Sequence, residues 1–280
     1  MRKAVAERFG KLIKMMSMKK SLNTSALVTA DTPKGQRATE IFRAQYNKAG
    51  LTEESAQILN ERPGFAAYLF AGIRRFSVKA PNYELVRTIL GKDFISPEEI
   101  MKSRKGIIYT NEQLSKFGQI VPSQEALEWC RNNSYMLVAG PNRPMSLLDI
   151  RVMENGYFSS KKRGWYADQK FFQKDKVETK WYMIRKNPVP ESIFKNWVEQ
   201  QHLISDVETI PNATELTWAI TTYKAVRGIY LFNGIYVRTS TLNSAGDPVD
   251  VGFFDNEGLG IDFSMDIFRG GNLGLSVARR

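Results

Sequence analysis

The order of apolar and polar residues predicts a chain that is mostly helical at first and turn-rich and extended at its end. From Gln36 to Leu59 the apolar side chains follow helical spacing, and "NYELVRTIL" after Pro81 predicts a further short helix. The runs "YMLVAG" and "WYMIRK" are typical of strands, whereas "ESIFKNWVEQQHLISDV" (191–207) again has helical spacing. The chain therefore combines both kinds of secondary structure.

Four helix starts are indicated by residues that cap the free backbone N–H groups of a first turn. Ser96 stands before Pro97 and two glutamates, which suit the positive end of a helix. Thr110 and Asn212 are each followed three residues later by Gln or Glu, the spacing of a reciprocal capping box. Ser123 opens one more predicted helix.

After Gly228 the hydrophobic period changes to two, which predicts strands. The predicted extended segments are "GIYLF", "GIYVRTST", "PVDVGFF", "GLGIDF" and "LGLSVAR", with "SAGD" and "DNEG" as turns. In "PVDVGFF" the apolar residues alternate with Asp250 and Gly252, so Asp250 is predicted to face solvent. The side chains predicted to face inward are Val249, Val251, Phe253, Leu259, Ile261, Leu273, Leu275 and Val277.

These patterns predict an α+β protein in three parts. Residues 1–35 form a basic arm and a polar linker that we expect to be flexible, because the segment ends in Pro-Lys-Gly. Residues 36–120 form a helical region. Residues 121–280 form an α+β domain that closes in a small, mainly antiparallel sheet.

The net charge of +11 is concentrated at one end of the chain. Residues 1–20 hold seven basic side chains and one acidic side chain, whereas residues 211–280 hold six basic and seven acidic side chains. A basic arm can bind nucleic acid or an anionic membrane, although a solvated leader is the simpler interpretation. The C-terminal strands are nearly neutral, so the net positive charge of the chain gives no reason to expect that these strands bind nucleic acid or a membrane.

A second basic segment, Lys161–Phe172, mixes cations with aromatic rings. Single-stranded nucleic acid is bound by such a mixture, because bases stack on the rings while cations contact phosphates. A nucleic-acid-associated protein using this segment and the basic arm is therefore the alternative hypothesis; the rings could equally anchor a charged loop to the core. The candidate nucleic-acid residues are Lys161, Lys162, Arg163, Trp165 and Tyr166.

Residues suited to catalysis or metal binding are scarce. The sequence has one histidine, His202, and one cysteine, Cys130, so a metal site built on these residue types is excluded and a nucleophilic pair is not indicated. The runs "GLG" and "GGNLG" lack the Gly-Lys-Ser/Thr of a phosphate loop, and the acids between Asp255 and Asp266 lack calcium-loop spacing. We predict no enzymatic activity, no metal and no cofactor.

The cellular location is predicted from the apolar runs of the sequence and from its single cysteine. No run approaches the length of a transmembrane segment, and the apolar stretch near the N-terminus is broken by Lys14 without a cleavage pattern after it. The single cysteine cannot form an internal disulfide. We expect a cytoplasmic protein, with surface display left open.

The last seventy residues resemble a known family pattern. A capped helix "IPNATELTWAI" leads to the strand "GIYVRTSTLNS", then to the hairpin "PVDVGFFDNEGLGIDF" and the closing strand "NLGLSVARR". This order is similar to that of C-type-lectin-like domains of the bacterial formylglycine-generating-enzyme and Fibrobacter-paralog kind, as in the variable proteins of diversity-generating retroelements. The resemblance extends loosely over residues 122–280. The disulfides and calcium triplets of animal lectins are missing, and asparagines are few.

The resemblance implies a stable sheet that presents a variable surface to a protein or other macromolecular ligand. Loops on a rigid scaffold are also the usual place for binding residues, and an aromatic ring beside a guanidinium is a common interface anchor. Relatives that are enzymes use cysteine chemistry or copper, for which this chain has few residues. The predicted ligand-binding residues are Asp247, Asp255, Asn256, Asp262, Ser264, Asp266, Phe268, Arg269 and Asn272. Ordinary solvated turns are the other interpretation.

Overall fold

A computed structural model describes residues 30–69, 83–160 and 164–280 and divides the chain into two units, 1–70 and 71–280. In the described part of the first unit lie helices α1 (Pro33–Lys48) and α2 (Glu53–Glu61). Thr32 and Thr52 cap them by accepting hydrogen bonds from the backbone of Gly35 and Ser55. Neither of these two helices contains a buried side chain. Helix α1 thus begins inside the segment predicted as a linker.

The second unit contains the helices and strands that follow. Its helices are α3 (Glu84–Leu90), α4 (Pro97–Ser103), α5 (Asn111–Gln119), α6 (Gln124–Asn132), α7 (Leu147–Met153), α8 (Phe171–Lys174), α9 (Trp197–Gln201) and α10 (Ala213–Arg227). Its strands are β1 (Phe94–Ile95), β2 (Tyr135–Ala139), β3 (Met145–Ser146), β4 (Lys176–Val177), β5 (Trp181–Arg185), β6 (Glu208–Thr209), β7 (Tyr236–Leu242), β8 (Pro248–Asp255), β9 (Gly258–Phe263), β10 (Leu273–Leu275) and β11 (Ala278–Arg279). The predicted mixed α+β class is confirmed.

The predicted helix starts are confirmed by the capping contacts. Ser96, Thr110 and Asn212 each accept from the backbone three residues on and form complete capping boxes. Ser123 accepts from the backbone N–H of Ala126. These caps satisfy N–H groups that have no partner within the helix, so the local sequence sets where α4, α5, α6 and α10 begin.

The first sheet has the order β1-β2-β5-β11-β6, with β1 parallel to β2 and the other pairs antiparallel. Every residue of β2 is buried because both faces of the sheet are covered. Leu127 of α6 and Val86 of α3 belong to the cluster on one face, and Trp218 of α10 belongs to the cluster on the other. This sheet is the centre of the second unit.

The C-terminal sheet has the order β10-β7-β8-β9. Strands β7, β8 and β9 are antiparallel, and β10 joins β7 in parallel, which agrees with a mainly antiparallel sheet. Helix α10 links the two sheets: Trp218 Nε1 donates to the Ala139 carbonyl at 2.9 Å, and the Thr241 hydroxyl accepts from the Ala213 N–H at 3.0 Å. The shared helix holds the C-terminal sheet in one fixed position on the core.

Residues before 121 contribute to the same core as the sheets. Tyr83 and Phe94 pack in one cluster with Leu137, while Ile100 and Phe117 pack in the other. Residues on both sides of the boundary predicted at residue 120 therefore contribute to the same two clusters.

Three local predictions are wrong, each because the backbone leaves its regular path. "GIYLF" is not a strand, and Phe232 has a left-handed φ of 55°. Phe253 is half-buried while Phe254 is buried, because a bulge between Gly252 and Asp255 shifts the alternation. The helix predicted for residues 191–207 is confined to α9, since Glu191 and Phe194 have φ values of 63° and 61°. The other predicted inward residues are buried.

Candidate binding surface

The predicted ligand-binding residues form two groups. The first group is Asp255 and Asn256 at one end of β8, and the second group lies near the segment that follows β9. Asp247 lies in the turn before β8, at the end where Ser264 donates its backbone N–H to the Pro248 carbonyl at 3.3 Å. Asp255 and Asn256 lie at the other end of this strand, which is about 23 Å long for eight residues. The structure thus places Asp247 near the segment after β9 and keeps Asp255 and Asn256 away from it.

The second group is continuous with the loop that follows β9, residues 264–272. Asp262 at the end of β9 and four loop residues are exposed, and Ser264 is half-buried. The exposed loop residues among those predicted are Asp266, Phe268, Arg269 and Asn272. This loop, together with the end of β9, is the candidate binding surface.

Arg238 of β7 holds the loop from beneath. Its side chain is fully buried, and Nη2 donates to the carbonyl oxygens of Met265 at 3.0 Å and Phe268 at 2.9 Å. Nη1 donates to the Lys195 carbonyl at 3.3 Å and to Gln200 Oε1 at 3.1 Å. One guanidinium therefore ties the loop to the segment that precedes and includes α9, and charged donors make such bonds stronger than neutral ones.

The segment of residues 193–199 forms the second wall of this surface. Phe194 donates its backbone N–H to the Gly270 carbonyl at 3.2 Å, and Trp197 donates to the Asp266 carbonyl at 2.8 Å. A Cβ at Gly271 would come within 2.8 Å of the Phe194 ring, so a side chain there would have to displace the ring. The loop and the segment are consequently one bonded surface.

This surface exposes apolar side chains while its backbone is fixed. The exposed fractions are 66% for Phe194, 55% for Val198, 57% for Met265, 71% for Ile267 and 47% for Phe268. We call these five residues the apolar patch. Phe194 adopts its left-handed φ of 61° at a cost of about 1–3 kcal/mol for a bulky residue, and such strain is commonest at functional sites.

A row of charged side chains crosses the sheet below the loop. Arg238 pairs with Asp250, and Asp250 pairs with Asp262, so the three side chains share one face of β7, β8 and β9. Asp250 is only 1% exposed, which corrects its predicted solvent-facing position. The alternation fails here because Arg238 and the loop cover this face as well.

Asp250 contacts the loop directly. Its Oδ2 accepts a hydrogen bond from the Ser264 hydroxyl, while its Oδ1 has no hydrogen-bond partner among the described residues. Burial raises the pKa of Asp250 to about 7, an effect opposed by the Ser264 hydrogen bond and by the Arg238 charge and reinforced by Asp262. Ser264 is predicted to bind ligand, but its hydroxyl donates a hydrogen bond to Asp250 within the protein.

Acidic side chains surround the apolar patch. Asp262 and Asp266 are exposed, and both lie close enough to the buried row to act on the pKa values of Asp250 and Arg238. The one basic residue of the loop, Arg269, pairs with Glu199 at 2.7 Å. Asp262 and Asp266 thus present exposed carboxylates without an ion pair to a described residue, while the buried Arg238 and the nearby Lys195 balance part of the negative charge.

The residues of the nucleic-acid hypothesis are placed differently. Lys161, Lys162 and Arg163 lie outside the described residues, as do residues 1–29 of the basic arm. Tyr166 is buried and accepts a hydrogen bond from Arg151. Trp165 is partly buried, donates Nε1 to the Ile261 carbonyl at 2.9 Å, and packs on Phe263 with ring centroids 4.8 Å apart. Trp165 thus anchors this segment to β9, and Tyr166 anchors it to α7.

Several residues of the surface were missed by sequence reasoning. The spacing of residues 191–207 predicts a helix that contains Phe194 and Val198, and the predicted binding set contains polar neighbours of Met265 and Ile267 but not these two residues. The sequence contained one usable signal: four of the eight residues of "FSMDIFRG" are large and apolar, and three of them, Phe263, Met265 and Ile267, alternate with polar residues. Arg238 gave no such signal, since an arginine in a strand is ordinarily exposed.

The described parts of the chain contain no cluster of three or more His, Cys, Asp or Glu side chains arranged for a metal ion. Within the same ranges no helix has the length and apolar content needed to cross a membrane. Comparisons with protein-family models, with curated proteins and with solved structures found no match to this chain.

Proposed function

We propose that this protein is a non-enzymatic binding protein that recognises another protein through the apolar patch and the acids beside it. In this proposal the C-terminal sheet is a scaffold of the C-type-lectin-like kind, and the loop after β9 is the surface it presents. The resemblance of the last seventy residues and the placement of the loop both support it.

The combination of exposure and restraint is the observation that carries the proposal. Exposed apolar side chains on a flexible segment can fold back onto the protein, but here the Met265 and Phe268 carbonyls are fixed by Arg238. The five side chains of the apolar patch stay in water at a cost that a partner would remove by covering them. A preformed apolar surface also loses little entropy on binding.

The charge beside the patch indicates the chemistry of the partner. Asp262 and Asp266 are exposed, while the charge of Arg269 is compensated by Glu199. Opposite charges favour encounter and orientation, so the partner segment should combine large apolar side chains with lysine or arginine.

Selection from a random peptide library displayed on phage tests the proposal. The full-length protein is the bait, and recovered peptides are measured against wild type, against Ile267→Ser/Phe268→Ser, and against Val152→Ser. Val152 is an exposed apolar residue of α7 and serves as the matched control. We expect peptides rich in aromatic and basic residues that lose at least tenfold in affinity for the double variant only.

Two results would count against the proposal. One is a set of peptides that binds the double variant as well as wild type, because the apolar patch would then not be the contact. The other is a library that yields no specific binder to the folded protein.

The link to retroelements has its own test in the genome. A near-copy of the segment that encodes the C-terminal sheet, next to a reverse transcriptase gene and differing only at template adenines, would support diversification of the loop. If no such near-copy is present, the proposal that this surface binds a protein stands, but the interpretation as a variable protein of a retroelement is excluded.

A further inference from the structure

A separate cleft opens on the other sheet, between the end of α6 and the residues that lead into β6. Its volume is about 460 Å³, and it is lined by Trp129, Asn133, Arg185, Leu203 and Glu208 among others. This volume lies in the range of cavities that hold small molecules. We call it the Arg185 cleft.

Arg185 lines the cleft near Glu208 but forms no hydrogen bond or ion pair with an acidic side chain of the described residues. It pairs with Tyr135 across β5 and β2, and its guanidinium carbon lies 5.9 Å from the centre of the Tyr135 ring. Its Nε is buried and has no hydrogen-bond acceptor among the described residues. The aromatic contact orients the cation but leaves donors for another group.

A second arginine repeats this arrangement on the neighbouring strand. Arg279 pairs with Met183 of β5 and Glu208 of β6, so it shares a sheet face with Arg185. Its guanidinium carbon lies 4.4 Å from the centre of the Trp129 ring, and its Nη1 is buried without an acceptor in the described part of the chain. Two cations thus lie beside one cleft.

The only carboxylate in the cleft lining, Glu208, is occupied by neutral donors. Its oxygens accept from the Tyr135 hydroxyl, from the Ser205 hydroxyl at 2.7 Å and from the Ser205 N–H at 3.2 Å. Burial acts to raise the pKa of Glu208, but these bonds and the Arg185 charge lower it overall, so the group is ionised. One anion therefore faces two cations, and it is not hydrogen-bonded to either.

We propose that the Arg185 cleft binds a small organic carboxylate. The ligand's carboxylate accepts hydrogen bonds from the Arg185 guanidinium, whose planar set of donors matches a carboxylate in two-point geometry. Its apolar part lies against Trp129, Val189 and Leu203, which line the same cleft. This site is independent of the apolar patch and of the function proposed for it.

Benzoate is a suitable probe, because it joins a carboxylate to a ring that fits beside Trp129. Tryptophan fluorescence of the full-length protein is titrated with benzoate, with benzamide, which keeps the ring and lacks the charge, and with inorganic phosphate. The variants are Arg185→Gln, Arg185→Lys and, as a control, Arg131→Gln, an exposed arginine of α6. Circular dichroism melting checks that each variant is folded.

We expect saturable binding of benzoate with at least tenfold weaker binding of benzamide and of phosphate. Arg185→Gln should lose benzoate binding by tenfold or more, Arg185→Lys by less, and Arg131→Gln not at all. Benzoate that binds Arg185→Gln as tightly as wild type, or no better than benzamide or phosphate to wild type, would overturn the proposal. If Arg185→Gln does not fold, the wild-type comparison of benzoate with benzamide decides alone.

Discussion

The buried guanidinium of Arg238 donates a 2.9 Å hydrogen bond to the carbonyl oxygen of Phe268, while the ring of Phe268 is about half exposed. The backbone of Phe268 is therefore held by the protein core, while its side chain is available for contact with a partner. The same holds for Met265, whose carbonyl is also bound by Arg238. The exposed side chains of Met265 and Phe268 can consequently change without disturbing the scaffold.

Arg238→Met should strongly destabilise the protein. The substitution leaves the carbonyls of Lys195, Met265 and Phe268 without their donor and Asp250 without a neighbouring cation. Breaking a buried charged network of this kind costs about 3–5 kcal/mol in the free energy of unfolding. Urea denaturation measures the loss, and Arg269→Met, at an exposed arginine of the same loop, should change the midpoint little. Equal, small effects would show that Arg238 does not anchor the loop.

Substitutions in the apolar patch should leave stability nearly unchanged. We expect Ile267→Ser/Phe268→Ser to alter the free energy of unfolding by no more than about 0.5 kcal/mol per site, as is usual for exposed positions. Thermal melting of the double variant and of Val152→Ser provides the comparison. A large loss of stability in the double variant alone would mean that these side chains serve packing rather than binding.

Asp250 should make stability depend on pH. Its pKa is raised in the folded protein from 3.8 to about 7, so the unfolded chain releases this proton first as the pH rises. The contribution of Asp250 to the free energy of unfolding should therefore be largest below about pH 4. It should fall as the pH rises to about 7. At 1.36 kcal/mol per pKa unit, the total loss is up to about 4 kcal/mol.

The comparison with Asp250→Asn isolates this effect, because other titrating groups are common to both proteins. Urea midpoints measured from pH 4 to pH 8 should fall for wild type relative to Asp250→Asn. Asp262→Asn, which changes the exposed acid of the same row, should keep most of the wild-type slope. Parallel curves for wild type and Asp250→Asn would show that Asp250 has an ordinary pKa.

Tyr166→Ala should lower the stability of the protein by about 3–5 kcal/mol, as expected for loss of a buried aromatic ring. Trp165→Ala should lower it by less, because Trp165 is only partly buried. Guanidinium chloride unfolding gives both values. Variants that keep wild-type stability but lose affinity for a single-stranded oligonucleotide would instead favour the nucleic-acid hypothesis.

Local chemistry was sufficient to place most helix starts. A cap such as Ser96 or Asn212 acts within four residues, so the sequence alone specifies the contact that forms. Period-two alternation likewise identified the buried side chains of β9 and β10. These features depend on neighbours in the chain, which is why they can be predicted.

The remaining features depend on contacts between distant residues. Asp250 alternates with buried valines, and only the pairing of β7 with β8 places it next to a buried arginine. Phe194 lies beside the loop through a backbone hydrogen bond to Gly270, more than seventy residues later. The candidate surface could therefore be predicted as far as the loop after β9, but its second wall and its anchor could not.

Methyl NMR of the full-length protein, titrated with a peptide recovered by the selection, tests the central claim most directly. The methyl groups of Met265 and Ile267 report on the apolar patch, and those of Met136 and Ile184 report on the core. We expect saturable shifts at Met265 and Ile267 with no change at Met136 and Ile184. Shifts that leave Met265 and Ile267 unmoved while the peptide binds would contradict the assignment of this surface.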